Sequence, residues 1–173
     1  MAAGATLYPN VPRALSTVGE DFYLHGPETE VQRQITIQVV GPDGNLRNTW
    51  LARYMEEKIN GLLCLRAGWD GYRARPVSYE AVTAGLNLLF GVAGDLSLPP
   101  QVFPLVDGGL QMEWHADQSV EIEVDGRGEA HVLTTDEAGT VVINEELALG
   151  DHAALARVRR ALRQLSAHLA GAR

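Results

Sequence analysis

The stretch Leu110-Gln111-Met112-Glu113-Trp114-His115-Ala116-Asp117-Gln118-Ser119-Val120-Glu121-Ile122-Glu123-Val124 decides the fold. Apolar and polar residues alternate on both sides of a short polar break, so each half is a strand with one face toward a core and one toward water. A three-residue loop at 116–118 puts Trp114 opposite Val120, which sets Glu113 against Glu121 and Gln111 against Glu123. The rhythm continues outward. Strands are predicted at about 101–106, 109–115, 119–125, 129–135 and 140–144. They are separated by Asp107-Gly108, the 116–118 loop, Gly126-Arg127-Gly128 and Asp136-Glu137-Ala138-Gly139, all turn-forming chemistry. If 126–128 is also a three-residue loop with Gly128 in the left-handed position, Glu123 lies opposite His131.

Such a meander has an apolar face that needs a cover, and the flanking sequence supplies one. Over 49–67, Trp50, Leu51, Tyr54, Met55, Ile59, Leu62, Leu63 and Leu65 recur at helical spacing. Gly68 follows where a helix C-terminus takes a left-handed residue, so Gly68-Trp69-Asp70-Gly71-Tyr72 is expected to begin as the helix-ending turn. Pro76 and Ser78 open a second helix, with Ser78 as N-cap, Val77 and Val82 as a hydrophobic staple, and Leu86, Leu89 and Phe90 on its buried side. A third runs from Asp151, its N-cap, to about Ala170, with Leu155, Val158, Leu162, Leu165 and Leu169 in a narrow stripe.

Upstream, Ile35, Ile37 and Val39 alternate with Gln34, Thr36 and Gln38 as a half-buried strand ended by Gly41-Pro42-Asp43-Gly44. A shorter strand around Phe22, Tyr23 and Leu24 is expected to pair with it across His25-Gly26-Pro27. Residues 1–19, with Pro9 and Pro12 and no periodicity, suggest a flexible arm, leaving 20–173 as a single domain. The fold class expected is therefore α+β: an antiparallel meander of four to five strands packed against two or three helices, with an N-terminal strand or hairpin.

The chain has 173 residues, 46% of them hydrophobic, enough for a core without disulfides or metal. Its net charge of −8 repels phosphate backbones and anionic lipid, which disfavours nucleic acid as a partner, and no apolar run is long enough to span a membrane. Cys64, the single cysteine, permits no internal disulfide and falls on the apolar side of a helical pattern as a structural thiol. With no positively charged leader before an apolar run, a reducing cytoplasm is the expected compartment. All the basic residues but Lys58 are arginine, a high-GC bacterial style.

Four constellations bear on chemistry. On the polar sheet face, Glu113, Glu121 and Glu123 meet His115 and His131. Carboxylates with imidazole can bind a divalent metal or divide acid and base roles, although glutamates alternating with apolar residues also make an ordinary solvated face. Asp70 and Asp107 sit beside glycines in turns, where a carboxylate can act as a catalytic acid or simply cap backbone N–H groups. Trp69 and Tyr72 form either a recognition surface or a lock that folds the loop onto the core. Arg157, Arg159, Arg160 and Arg163 make the last helix locally basic, and Arg73 and Arg75 extend that patch only if the fold brings them near. No GxSxG, GxxxxGK[ST], strand-borne GxGxxG or HExxH pattern occurs, and no cofactor is implied.

Gly68-Trp69-Asp70-Gly71-Tyr72 with Ala74, Pro76 and Ser78, then Asp107-Gly108-Gly109, Glu113-Trp114 and Glu121-Ile122-Glu123-Val124, resemble a widespread group of small bacterial proteins. In that group a WDGYGA-like segment precedes a helix and a GG-x-x-x-EW strand opens a hairpin. The resemblance covers about 66–133, departs from the pattern at Arg73, and implies no particular activity. The reading expected from the sequence is a non-enzymatic interaction module, an accessory, regulatory or antitoxin-like subunit whose acidic body or N-terminal arm engages a protein partner or a second copy of itself. Trp69, Asp70, Tyr72, Arg73, Arg157 and Arg160 are its candidate binding residues. Two rivals are a metal-assisted hydrolase using Glu113, Glu123 and His131 with Asp70 or Asp107, and nucleic-acid binding through the arginine helix.

Overall fold

The computed structural model describes residues 13–19, 34–40, 46–47, 50–93, 98–148 and 150–171. Strands β1 (Arg13–Gly19), β2 (Gln34–Val40) and β3 (Leu46–Arg47) form a small antiparallel sheet in that order. Strands β4 (Gln101–Pro104), β5 (Leu110–His115), β6 (Ser119–Val124), β7 (Ala130–Thr135) and β8 (Val141–Glu146) form a five-stranded antiparallel meander in sequential order. Helices α1 (Trp50–Leu63), α2 (Tyr79–Ala93) and α3 (His152–Gly171) supply the cover, so the fold is α+β as the pattern predicts. Among the described residues, no helix is long and apolar enough to cross a membrane.

The meander takes the predicted register. Trp114 pairs with Val120, Glu113 with Glu121, Gln111 with Glu123, and Glu123 with His131. Gly128 has φ +88°, the left-handed geometry that the 126–128 loop requires. The apolar face is fully buried at Leu110, Met112, Trp114, Val120, Ile122, Val124 and Val132. Side chains such as Met112 and Ile122 each contribute about 1.5–3 kcal/mol by leaving water.

Helix α2 is buried nearly all round, including Leu88 and Val92 on the side away from the predicted stripe. The cause is the second sheet: α2 reaches β1 on one side and β5, β6 and α3 on the other. Its N-terminus is capped as expected. The Ser78 hydroxyl accepts from the Ala81 N–H at 3.0 Å, and Asp151 caps α3 by accepting from the Ala154 N–H at 2.9 Å.

Helix α1 packs on β2 through Leu51, Met55, Ile59 and Leu63, and its side chains bond the part of β2 that the two-residue β3 leaves unpaired. The Asn60 side-chain amide accepts from the Ile35 N–H at 2.8 Å and donates to the Ile35 carbonyl at 3.1 Å, while Glu56 accepts from the Ile37 N–H at 2.9 Å. A four-residue step along a helix, about 6 Å, nearly matches a two-residue step along a strand, about 6.7 Å. Two side chains on successive helix turns thus reach successive outward amides of the strand.

The helix stops earlier than its pattern suggests. It ends at Leu63, where Leu65 N–H donates to Leu62 C=O at 3.0 Å, and Cys64 is exposed rather than on the buried side. Gly68 therefore serves the following loop and not the helix cap. Of the segment read as an arm, Arg13–Gly19 pairs with β2 as β1, and residues 1–12 lie outside the described residues. The expected strand at Phe22–Leu24 also lies outside them.

Candidate functional site

The two motif segments that stand apart in sequence meet in space. Arg75 N–H donates to Val106 C=O at 2.9 Å, and Ser78 N–H donates to Gly108 C=O at 2.8 Å. The Ser78 hydroxyl donates to Gly126 C=O at 2.8 Å, and both Asp107 carboxylate oxygens accept backbone N–H groups, from Gly109 at 3.0 Å and Gly126 at 3.2 Å. The packing leaves no room for side chains. A Cβ on Gly109 would lie 2.2 Å from the Val124 carbonyl oxygen, and one on Gly126 would lie 2.4 Å from that of Asp107. Gly108 has φ +91°. This knot ties the β4–β5 turn, the β6–β7 turn and the start of α2 together, which gives the paired motifs a physical reason to occur together.

Above the knot, residues 68–76 form a loop closed by its own polar groups. Gly68 N–H donates to Ala74 C=O at 2.8 Å, and Asp70 Oδ1 accepts from the N–H groups of Tyr72 at 2.8 Å and Ala74 at 3.1 Å. The Tyr72 N–H, with a smaller contribution from Ala74, holds the Asp70 carboxyl below the usual carboxylate range. Trp69 Nε1–H donates to Arg75 C=O at 3.2 Å, leaving its ring half-buried along the loop. Tyr72 does not fold back: it is 87% exposed at the tip. Arg73 and Arg75 are exposed beside it, as is Val106, bonded to Arg75 through the backbone. The result is a firm loop that holds an aromatic ring and two guanidinium groups in solvent.

The polar face of the meander is arranged differently. Glu113 accepts from Gln111 Nε2 at 2.7 Å and lies 2.7 Å from His115 Nε2, so its oxygens are engaged along its own strand. Glu123 is exposed opposite half-buried His131, which lines a shallow depression with Asp125, Glu129 and Glu146. Among the described residues no group of three or more His, Cys, Asp or Glu side chains is placed to hold a metal ion. Asp70 and Asp107, the acids considered for loop catalysis, are occupied with backbone N–H groups.

Arg157 and Arg160 border β8, whereas Arg73 and Arg75 belong to the loop tied to the β4–β5 turn. Arg157 pairs with Glu145 of β8 at 2.5 Å. With Arg160 it lines a groove of about 350 Å³ between α3 and β8, bordered by Val142, Ile143 and Gln164. Sequence reasoning passed over Val142, which is 65% exposed on β8 next to Val141 at 53%. The signal was present: three apolar residues in succession, Val141-Val142-Ile143, break the alternation and place apolar groups on both sides of the strand. Val106 carried no such sign. Comparison of the chain with protein-family models, with curated proteins and with solved structures finds no match.

Proposed function

We propose that the chain is a non-enzymatic protein-interaction module of a bacterial cytoplasm, an accessory, regulatory or antitoxin-like subunit that recognises its partner through the 68–76 loop. The observation that carries this reading is the exposure of Tyr72 at the tip of a loop whose backbone is already fixed by Asp70, Gly68 and Trp69. A ring carried on a backbone that is already fixed costs only side-chain freedom when it is buried, so more of its contact energy appears as affinity. Arg73, Arg75 and Val106 around it suit an acidic surface with an apolar pocket for the ring. Glutamates and histidines on the sheet face then act as solvated surface.

The test is affinity capture from the native host with wild-type chain and with Tyr72→Ala, followed by identification of the bound proteins. A partner retained by wild type and lost by Tyr72→Ala, with the melting temperature unchanged, supports the loop as the recognition element. Equal capture by both chains, or capture of nothing, overturns it.

A further inference from the structure

We propose that the groove between α3 and β8 binds a free α-amino acid with an aliphatic side chain, its carboxylate on Arg160 and its ammonium on Asp136. Two opposite charges line this groove without meeting. Arg157 is already engaged by Glu145, whereas Arg160 and Asp136 form no ion pair with each other or with any other described residue. Asp136 uses Oδ1 on the N–H groups of Ala138 and Thr140, which leaves Oδ2 for a donor from outside the chain. A cation alone is repelled by Arg160 and an anion alone by Asp136, so the ligand that suits both carries both charges.

The walls set the ligand's size and its apolar part. The groove holds about 350 Å³, at the small end of the range of about 300–1,000 Å³ for small-molecule sites. Strand β8 bulges here: Val141 pairs with Thr135 and Ile143 with Thr134, so Val142 is the extra residue. Bulges re-aim side chains and recur beside binding sites. Val142 and Ile143, neighbours that a regular strand would send to opposite faces, both line the groove and form an apolar wall with Ala161. Thr134 lines it too, and among the described residues it is the single buried polar one, 3% exposed in a core that is otherwise apolar. A valine would fill that space with no hydroxyl to satisfy, and a bound carboxylate gives this hydroxyl an acceptor. None of these residues belongs to the 68–76 loop, so the site stands or falls independently of partner recognition there.

Isothermal titration calorimetry of the full chain with leucine, leucinamide and isocaproate tests the proposal without any variant. Leucine is expected to bind. Loss of its carboxylate in leucinamide, or of its ammonium in isocaproate, should weaken binding about tenfold, because each leaves a charged group of the site unpaired. Arg160→Gln and Asp136→Asn should each lower leucine affinity about tenfold. Asparagine keeps an Oδ1 acceptor for the turn, so that variant is expected to remain folded by circular dichroism. No heat from leucine at about 10 mM, where even millimolar binding is nearly saturated, would overturn the proposal. So would equal binding of leucine and isocaproate, which would mark a simple anion site, or leucine binding unchanged in Arg160→Gln and Asp136→Asn.

Discussion

Two hairpin turns of the meander share one local chemistry and live under different constraints. In each, the aspartate that opens the turn accepts two backbone N–H groups through Oδ1: Asp125 from Arg127 and Glu129, both at 2.9 Å, and Asp136 from Ala138 at 2.9 Å and Thr140 at 2.8 Å. In each, a left-handed glycine closes the loop, Gly128 at φ +88° and Gly139 at φ +76°. A Cβ on Gly139 would meet nothing within 4 Å, but one on Gly128 would lie 3.2 Å from the Glu80 carbonyl oxygen. The first turn is a contact in the knot with Gly126, Asp107 and α2, and the second is only a turn. Identical local signals therefore do not report how much of the fold rests on them.

Breaking the knot should cost most. Gly109→Ala forces a methyl group against the Val124 carbonyl and is expected to destabilise the chain by about 3 kcal/mol, read as a lowered urea midpoint. Ser78→Ala removes both the α2 cap and the bond to Gly126, with an expected loss of about 2 kcal/mol in the same experiment. At the open turn, Gly139→Ala meets only the backbone penalty of a left-handed residue, about 1 kcal/mol. If Gly139→Ala cost as much as Gly109→Ala, the contrast between the two turns would be lost.

Acid should reveal the smallest effect. Asp70 has a folded pKa below its ordinary value, so its contribution is present above the ordinary carboxylate range and fades as pH falls through the depressed value. Trp69 fluorescence should therefore report loosening of the loop only below about pH 4, and Asp70→Asn should remove that transition. A loop transition retained in Asp70→Asn would assign the acid response to another group.

The meander was legible because alternation and loop length fix register together: one slipped residue would turn Met112, Trp114 and Ile122 into solvent. Caps at Ser78 and Asp151 were legible because they are local. Most of what escaped depends on partners distant in the chain. The all-round burial of α2 requires the small sheet; the exposure of Tyr72 escaped for a different reason, since the hydrogen bonds that shape its loop are local but residue types alone do not say which way the ring points. Candidate binding residues fell in two places because of such distant partners: Arg73 lies on a loop tied to the β4–β5 turn, while Arg157 and Arg160 flank β8. Helical spacing reveals a basic face but not which sheet edge it will border.

The side chains of Glu56 and Asn60 that occupy the outward amides of β2 make helix and strand one cooperative unit. The amides of Ile35 and Ile37 are held by side chains of α1, so their exchange should follow the same opening event as the amides of α1. The small sheet is thus an annex of the helix, and it should open and close with it.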